Sequence, residues 1–334
     1  MSWLALDIGG ANLKAADGLG FAVARPFPLW QRPQALAGEI ARLLADAPAA
    51  ERIAVTMTGE LADCFGTKRE GVAAIARAAS EAAAGRALAI YLTDGSLVPL
   101  EEAITRPLEA AASNWHALAR FAGRYAPGGS ALLIDIGSTT ADLIPLAGGV
   151  PAAQGRTDPE RMAAGELVYT GVIRSPVCAV SRWLPWRGGR VPTAQELFAT
   201  TWDAYLVLGD LEEEPGSVHT ADGRPATRGA ARDRLARCIC ADREVFSEQD
   251  ALCAARRIAE DQLEGLCEAA GRLVRRMGSP PGTMIVCGQG EFLGRRLVER
   301  LGIVSSVVSL HETLGPILSR CAPAHALAVL ARES

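Results

Sequence analysis

The sequence predicts an α/β protein of two related lobes, with a ligand cleft between them and a helical insert in the second. Three observations carry this reading. A strand–Asp–x–Gly–turn–strand pattern occurs twice: LALDIGGANLK (4–14) lies against LLIDIGSTTAD (132–142), so that Asp7 matches Asp135, Gly9 matches Gly137 and Lys14 meets Asp142. After each copy, short apolar segments alternate with stretches of helical period, the pattern of a sheet covered by helices. A strand at 283–287 then runs into a third glycine turn, Gly288-Gln289-Gly290-Glu291, ahead of another helix. The repeat is a duplication of whole lobes and not a short tandem array. At about 150 residues per domain, the chain of 334 residues divides into a first lobe over 1–128 and a second over 129–334.

The elements follow in order. Residues 3–8 (WLALDI) form a buried strand, Gly9-Gly10 a turn, and 11–16 a returning strand; Asp17-Gly18 turns the chain into a third strand at 19–25. Leu36, Ile40, Leu43 and Leu44 share one face of a helix over 33–46. A strand at 52–57, a helix at 69–84, a strand at 88–92 and one helix over 107–125 complete the first lobe. The second opens with strands at 131–136, 141–146 and 150–155. Residues 176–192, rich in Pro, Gly, Trp and Arg, read as an ordered loop over a site. Helices at 193–208, 227–240 and 248–277, with a polar loop at 209–226, form the insert. A helix at 291–300, a strand at 303–308 and a helix at 323–332 close the chain.

Composition narrows the function classes. Lys and Arg number 34 against 38 Asp and Glu, a net charge of −4, which argues against a nucleic-acid partner because such binding needs a basic face. With 49% hydrophobic and 22% charged residues the chain has ample material for a core. No apolar run approaches the roughly 20 residues of a membrane span, and the N-terminus lacks a basic leader region, so no membrane partner and a cytoplasmic location are expected. The eight cysteines are scattered, and Cys238-Ile-Cys240 does not have zinc-site spacing; they read as reduced packing residues, Cys64 included. His219 and His311 read as surface or structural groups. A homo-oligomer is compatible with this composition.

The paired glycine turns carry the chemistry. A hairpin tip with glycines exposes backbone N–H groups at close approach, which suits phosphate oxygens. Gly9, Gly10 and Asn12 supply one tip, and Gly137, Ser138, Thr139 and Thr140 the other. Asp7 and Asp135 stand beside them as candidate Mg²⁺ ligands, since Mg²⁺ favours one or two carboxylates plus substrate phosphate, and Lys14 adds a cation. Gly288, Gly290 and Glu291, between a strand and a helix N-terminus, form a candidate nucleotide or anion turn. Glu60 and Asp63 follow the strand at 52–57, where α/β lobes hold ligands. Asp158, Arg161, Glu166 and Arg174 cluster just after the second hairpin, either as site groups or, for Asp158 and Arg161, as an exposed pair of little consequence. Asn114 and Trp115 lie on one helix; Trp115 is either a core anchor or a ligand contact.

The two tips and the third turn, in this order, resemble the actin/hexokinase/heat-shock-chaperone ATPase superfamily, which implies a ligand held between the lobes but leaves the reaction open. Longer segments, MTGELADCF (57–65), NWHA (114–117), DIGSTTADLIP (135–145), TDPERMAAGELVYTGVIRSPV (157–177) and RCICADRE (237–244), resemble the hydantoinase/oxoprolinase-like, tetrahydromethanopterin-linked one-carbon-pathway family, whose archaeal members act in methanofuran biosynthesis. Ser175 stands where that family is expected to carry threonine. The resemblance implies a transferase that joins an aminomethylfuran-methyl diphosphate to the phenol oxygen of γ-glutamyltyramine and releases pyrophosphate, with Mg²⁺ as cofactor. On that chemistry the furan oxygen stabilises the carbocation, Lys14 and Mg²⁺ near Asp7 and Asp135 neutralise the leaving group, and Asp142, Asp158 or Glu166 assists the phenol, whose ordinary pKa is near 10. Two other readings stay open: an ATP-dependent small-molecule kinase or hydrolase of the same fold, with ATP as cofactor, and a catalytically silent binding protein.

Overall fold

In the computed structural model, which describes residues 2–334, the first sheet is built from β1 (Trp3–Gly9), β2 (Asn12–Ala16), β3 (Ala22–Pro26), β4 (Arg52–Thr58), β5 (Ala87–Tyr91) and β6 (Leu97–Val98), in the order β3-β2-β1-β4-β5-β6. The second half supplies β7 (Ser130–Ile136), β8 (Ala141–Ala147), β9 (Val150–Pro151), β10 (Leu167–Val168), a separate hairpin of β11 (Trp183–Trp186) and β12 (Gly189–Pro192), then β13 (Thr283–Cys287) and β14 (Ser306–Ser309). Its sheet runs β10-β8-β7-β13-β14, with β9 also on β8. Strands β1, β2, β4 and β5 thus have counterparts in β7, β8, β13 and β14: an antiparallel hairpin on one side of the founding strand and parallel neighbours on the other.

Side-chain alternation along these strands sorts residues between two helical layers. Leu4, Leu6 and Ile8 of β1, with Ile53, Val55 and Met57 of β4, point outward into a core with helices α1 (Leu36–Asp46) and α2 (Lys68–Ala83). Ala5 and Ala54 point inward, as do Ala131, Leu133, Ile144 and Ile285 of the second sheet. Between the two inner faces lie α3 (Asn114–Ala122) and, from the end of the chain, a helix over Ala322–Glu333. Ala117, Leu327, Ala328 and Ala331 pack on the first sheet, while Trp115, Leu118, Ala322 and Ala326 pack on the second. The small side chains let both helices sit close to both sheets. The second sheet's outer face is covered by a helix over Glu248–Arg276 and another over Glu291–Leu301.

Several expectations need correction. The closing helix was assigned with the second lobe but packs on the first sheet as well, so the two lobes share a layer. The single helix expected over 107–125 breaks at Ala112, whose φ of 48° places it in the left-handed region; that costs about 1–2 kcal/mol for a residue with a Cβ and lets Asn114 start a new helix. The helix expected from 193 begins at Thr201, because Thr200 and Asp203 form a reciprocal capping box there. Residues 183–192 form the β11–β12 hairpin instead of an irregular loop and do not line the cleft. The strand expected over 150–155 ends at Pro151; β10 takes the remaining length of β8, and helix α4 (Asp158–Ala164) sits between the halves.

Gly123, just past α3, tests this packing away from the cleft. A Cβ there would stand 1.8 Å from the Gly149 carbonyl oxygen. Gly123→Ala is expected to lower stability by about 1–3 kcal/mol, the usual cost of overpacking, read as a lower urea midpoint at unchanged slope.

Candidate functional site

Cross-strand register assembles the centre of the site. On the first sheet's inner face, Lys14 of β2, Asp7 of β1 and Thr56 of β4 stand side by side, because Asp7 pairs in register with both neighbours. On the second, Asp142, Asp135 and Cys287 form the matching row. Both rows lie near the ends of their strands and line the edge of a cleft, apart from Thr56 and Cys287, which stay buried beneath. The cavity there has a volume of about 410 Å³. A wider groove of about 670 Å³ lies outside the second lobe, but its Arg296 and Arg300 are already paired with Asp210 and Glu260.

The two hairpin tips face this cavity. Their carbonyls are turned into the following loops: Gly10 O accepts from Leu29 N at 2.9 Å and Ala11 O from Phe27 N at 2.9 Å, while Ser138 O accepts from Ile173 N at 3.1 Å and Arg174 N at 3.0 Å. Among the described residues, no hydrogen bond engages the N–H of Gly10, Ala11, Ser138, Thr139 or Thr140. These donors are free for an anion. A second symmetry lies beneath the tips. Gly59 N donates to Ile8 O at 3.1 Å, and Gly290 N to Ile136 O at 2.8 Å, so Thr58-Gly59-Glu60 is the first lobe's counterpart of the Gly288–Glu291 turn. Gly288 is required where it stands: its φ is 91°, and a Cβ would come within 2.3 Å of Asp135 Oδ1.

Acids outnumber bases here. Lys14 Nζ is 3.7 Å from Asp7 Oδ2, and the buried Asp7 Oδ1 has no partner. Burial pushes the Asp7 carboxyl up, against the pull of Lys14. Burial, then the neighbouring Asp142, carries Asp135 up to about 7. Asp142 is also raised by burial, although Arg161 Nη2 donates to its Oδ1 at 2.7 Å. Desolvation works against the charge of Lys14, but Asp7 and Asp135 together hold its pKa above the usual value. Arg161 is buried, stacked 4.2 Å over the Trp115 ring, and its Nη2 also donates to Glu166 O at 3.2 Å.

One ion pair crosses the cleft. Lys68 is the first residue of α2 and Asp158 the first of α4; Lys68 Nζ lies 2.6 Å from Asp158 Oδ2 and 3.9 Å from Glu60 Oε1. A cation at a helix N-terminus opposes the helix dipole, so these two acids are what hold Lys68 there.

The structure brings together most of the residues expected from sequence. Asp7, Gly9, Gly10, Asn12, Lys14, Glu60, Asp63 and Asn114 line the cavity from the first half; Asp135, Gly137, Ser138, Thr139, Thr140, Asp142, Asp158, Arg161 and Arg174 line it from the second. Gly288 lines a small adjoining hollow with Lys14 and Arg320. Four residues lie elsewhere. Glu166 is fully buried, and its carboxylate accepts from Gln154 N at 2.7 Å and Gly155 N at 3.0 Å, which leaves it no role toward a phenol. Trp115 supports Arg161 from behind. Gly290 serves packing, since a Cβ would stand 2.6 Å from both Ile136 and Val172. Glu291 accepts from Ser309 Oγ and from His311 N, the latter at 3.0 Å, and anchors the segment after β14. Sequence reading missed Lys68 and Trp30; Tyr169 lines the cavity with them. Trp30 lies under the Arg174 guanidinium, 4.8 Å from its ring centre. Ser175 pins the same loop by accepting from Gly171 N at 2.9 Å. Cys64 packs near Leu29 O, as expected.

Two sheets of matching order, a shared helical layer and paired hairpin tips on one cleft define the two-lobed fold of the actin/hexokinase/heat-shock-chaperone superfamily. Nucleotide-free acetone carboxylase shares it, with a TM-score of 0.50 at 14% identity over 95% of this chain and 51% of that one. Within that class, the chain belongs to the hydantoinase/oxoprolinase family, which it matches over residues 51–334. It is 31% identical over 333 residues to the (4-{4-[2-(gamma-L-glutamylamino)ethyl]phenoxymethyl}furan-2-yl)methanamine synthase of Methanocaldococcus jannaschii, covering 99% of this chain and 97% of the relative. The protein of the same name from Methanococcus vannielii is 27% identical over 204 residues, 60% of this chain and 90% of that relative. Among the described residues, no helix is long and apolar enough to cross a membrane.

The raised carboxyl of Asp135 has a consequence for stability. Its folded pKa of about 7 exceeds the ordinary aspartate value near 3.9, so the folded chain holds a proton that the unfolded chain gives up, and stability falls as pH rises between those values. Asp135→Asn is expected to raise the thermal midpoint at pH 8 in the presence of chelator, with the gain gone at pH 4. An equal change at both pH values would contradict this burial of charge.

Proposed function

We propose that the chain is a transferase that forms an aryl ether, joining an aminomethylfuran-methyl diphosphate to the phenol oxygen of γ-glutamyltyramine with release of pyrophosphate, in methanofuran-type cofactor synthesis. The observation that carries this is the 31% identity over 99% of the chain to a synthase whose named product contains that phenoxymethyl–furan link. The geometry supports it. The unengaged N–H groups of both tips and Lys14 suit the diphosphate. Trp30, Leu61 and Tyr169 give the same cavity flat or apolar surface for a ring.

The residues also suit Mg²⁺. Asp7 has an orphaned buried oxygen, and Asp135 lies across from it, with Asp142 in reach of its field. Among the described residues, no group of three or more His, Cys, Asp or Glu is arranged to enclose a metal. That suits an ion which keeps its waters and shares the substrate's phosphates. When bound, Mg²⁺ would supply positive charge against the leaving pyrophosphate. Lys14 adds a fixed cation, and the tip N–H groups add dipoles that need no rearrangement as charge builds on the leaving oxygens. The carbon–oxygen bond to the diphosphate breaks with its electron pair on pyrophosphate, and the phenol oxygen takes its place on the furfuryl carbon as its O–H proton passes to a base.

Incubation with the furfuryl diphosphate, γ-glutamyltyramine and Mg²⁺ is expected to yield the ether and pyrophosphate in equal amounts. Lys14→Ala should lower kcat by about 10²–10³, the typical cost of one preorganised contact to a developing charge. Asp7→Asn should weaken calorimetric binding of Mg²⁺–pyrophosphate. ATP hydrolysis without furan-dependent pyrophosphate release would favour the kinase or hydrolase reading instead.

A further inference from the structure

We propose that Glu60 is the base that takes the proton of the incoming phenol, with Lys68 as its positioning residue; this rests on the transferase reading above. The carboxylates expected to do this work are already engaged: Asp142 by Arg161, Asp158 by Lys68, and Glu166 by two backbone N–H groups. Glu60 is different. It lines the cavity, is 1% exposed, and its buried Oε2 has no hydrogen-bond partner, while Lys68 Nζ stands 3.9 Å from Oε1 and the backbone N–H groups of Glu60 and Ala112 also favour the charged carboxylate. A carboxylate oxygen left dry and unpaired costs stability, and a phenol O–H would satisfy it.

The local structure fixes Glu60 at one point on the wall. Gly59 N donates to Ile8 O on one side. On the other, Gly71 of α2 presses against the Glu60 carbonyl so closely that a Cβ would come within 2.0 Å of it. Leu61 follows, and Gly59 packs on Leu29, beside Trp30, so apolar surface for an aromatic ring adjoins the carboxylate. The charged groups facing Glu60 are Lys68 from α2 and Asp158 from α4. Burial pushes its carboxyl up to about 7, against the pull of its own backbone N–H, Lys68 and the Ala112 N–H, with Asp158 pushing up. The charged, proton-accepting form therefore prevails above about pH 7, close to a working pH. In the step, the phenol O–H bond breaks, its proton passes to Glu60 Oε2, and its electron pair forms the ether bond as pyrophosphate departs with the electrons of the old carbon–oxygen bond. The proton on Glu60 is later lost to solvent.

The experiment pairs binding with kinetics. Calorimetry compares γ-glutamyltyramine with γ-glutamylphenethylamine, which lacks the hydroxyl. Wild type should prefer the phenol by roughly tenfold or more, the scale of a hydrogen bond to a charged group, and Glu60→Gln should erase the preference. In the condensation assay, kcat/KM of wild type should fall below about pH 7. Glu60→Gln should lose that limb and about 10²–10⁴ in rate, Glu60→Asp should recover part, and Lys68→Met should move the limb to higher pH. Lys68→Met retains the Glu60 carboxyl, so a Glu60→Gln protein that fails to fold leaves a decisive measurement. If Glu60→Gln keeps both the preference and the limb, or the limb stays put in Lys68→Met, the assignment is overturned while ether formation stands. If wild type binds neither compound and forms no ether, the transferase reading fails and this proposal fails with it.

Discussion

Burying more carboxylates than cations at the rim of the cleft is the constraint around which the rest of this molecule is arranged. Asp7, Asp135 and Asp142 share one small volume with Lys14 and Arg161, and Glu60 and Asp158 share Lys68 beside it. Removing a charge from water costs several kcal/mol even after relaxation. Burial raises the pKa of all three aspartates above the ordinary carboxylate value. A site of this kind persists only where the surrounding packing over-determines it, and here two sheets and two alanine-rich helices do so.

The duplication also shows where the two lobes parted. Their founding strands carry Asp7 and Asp135 in register, and glycine turns pass beneath both tips. The next strand carries a cation in one lobe, Lys14, and an anion in the other, Asp142. The third strand stays whole in the first lobe, as β3, but in the second it is divided and a helix enters the gap. That helix delivers both Asp158 and Arg161.

Much of this was legible in the sequence, and the reasons differ by element. The hairpins were visible because period-two alternation and Asp-x-Gly turns are local signals, and their repetition excludes chance. The inner-face acids followed from the same alternation. Glu166 was misplaced and Trp115 left open because both lie one layer behind cleft residues that they support, and sequence proximity cannot separate a wall from its backing. Lys68 gave no local signal: its meaning depends on Asp158, which comes from the opposite lobe. Glu60 was placed in the site, but its unpaired oxygen is a property of packing alone. A comparison of MTGE with VCGQGE, the exits of β4 and β13, would have exposed the second internal symmetry. The divided third strand was hidden because Pro151 ends pairing without ending the apolar character around it.

The shared helical layer has a consequence for the order of assembly. The first sheet is made well before the helix over Ala322–Glu333, yet Leu327, Ala328 and Ala331 of that helix cover its inner face. At about 5–20 residues per second, Ala5, Ala54 and Tyr91 wait on the order of tens of seconds for Leu327 and Ala328 to emerge. During that interval the nascent first lobe presents an apolar surface with no partner of its own. The inner face of the first sheet is therefore completed only when the last helix docks.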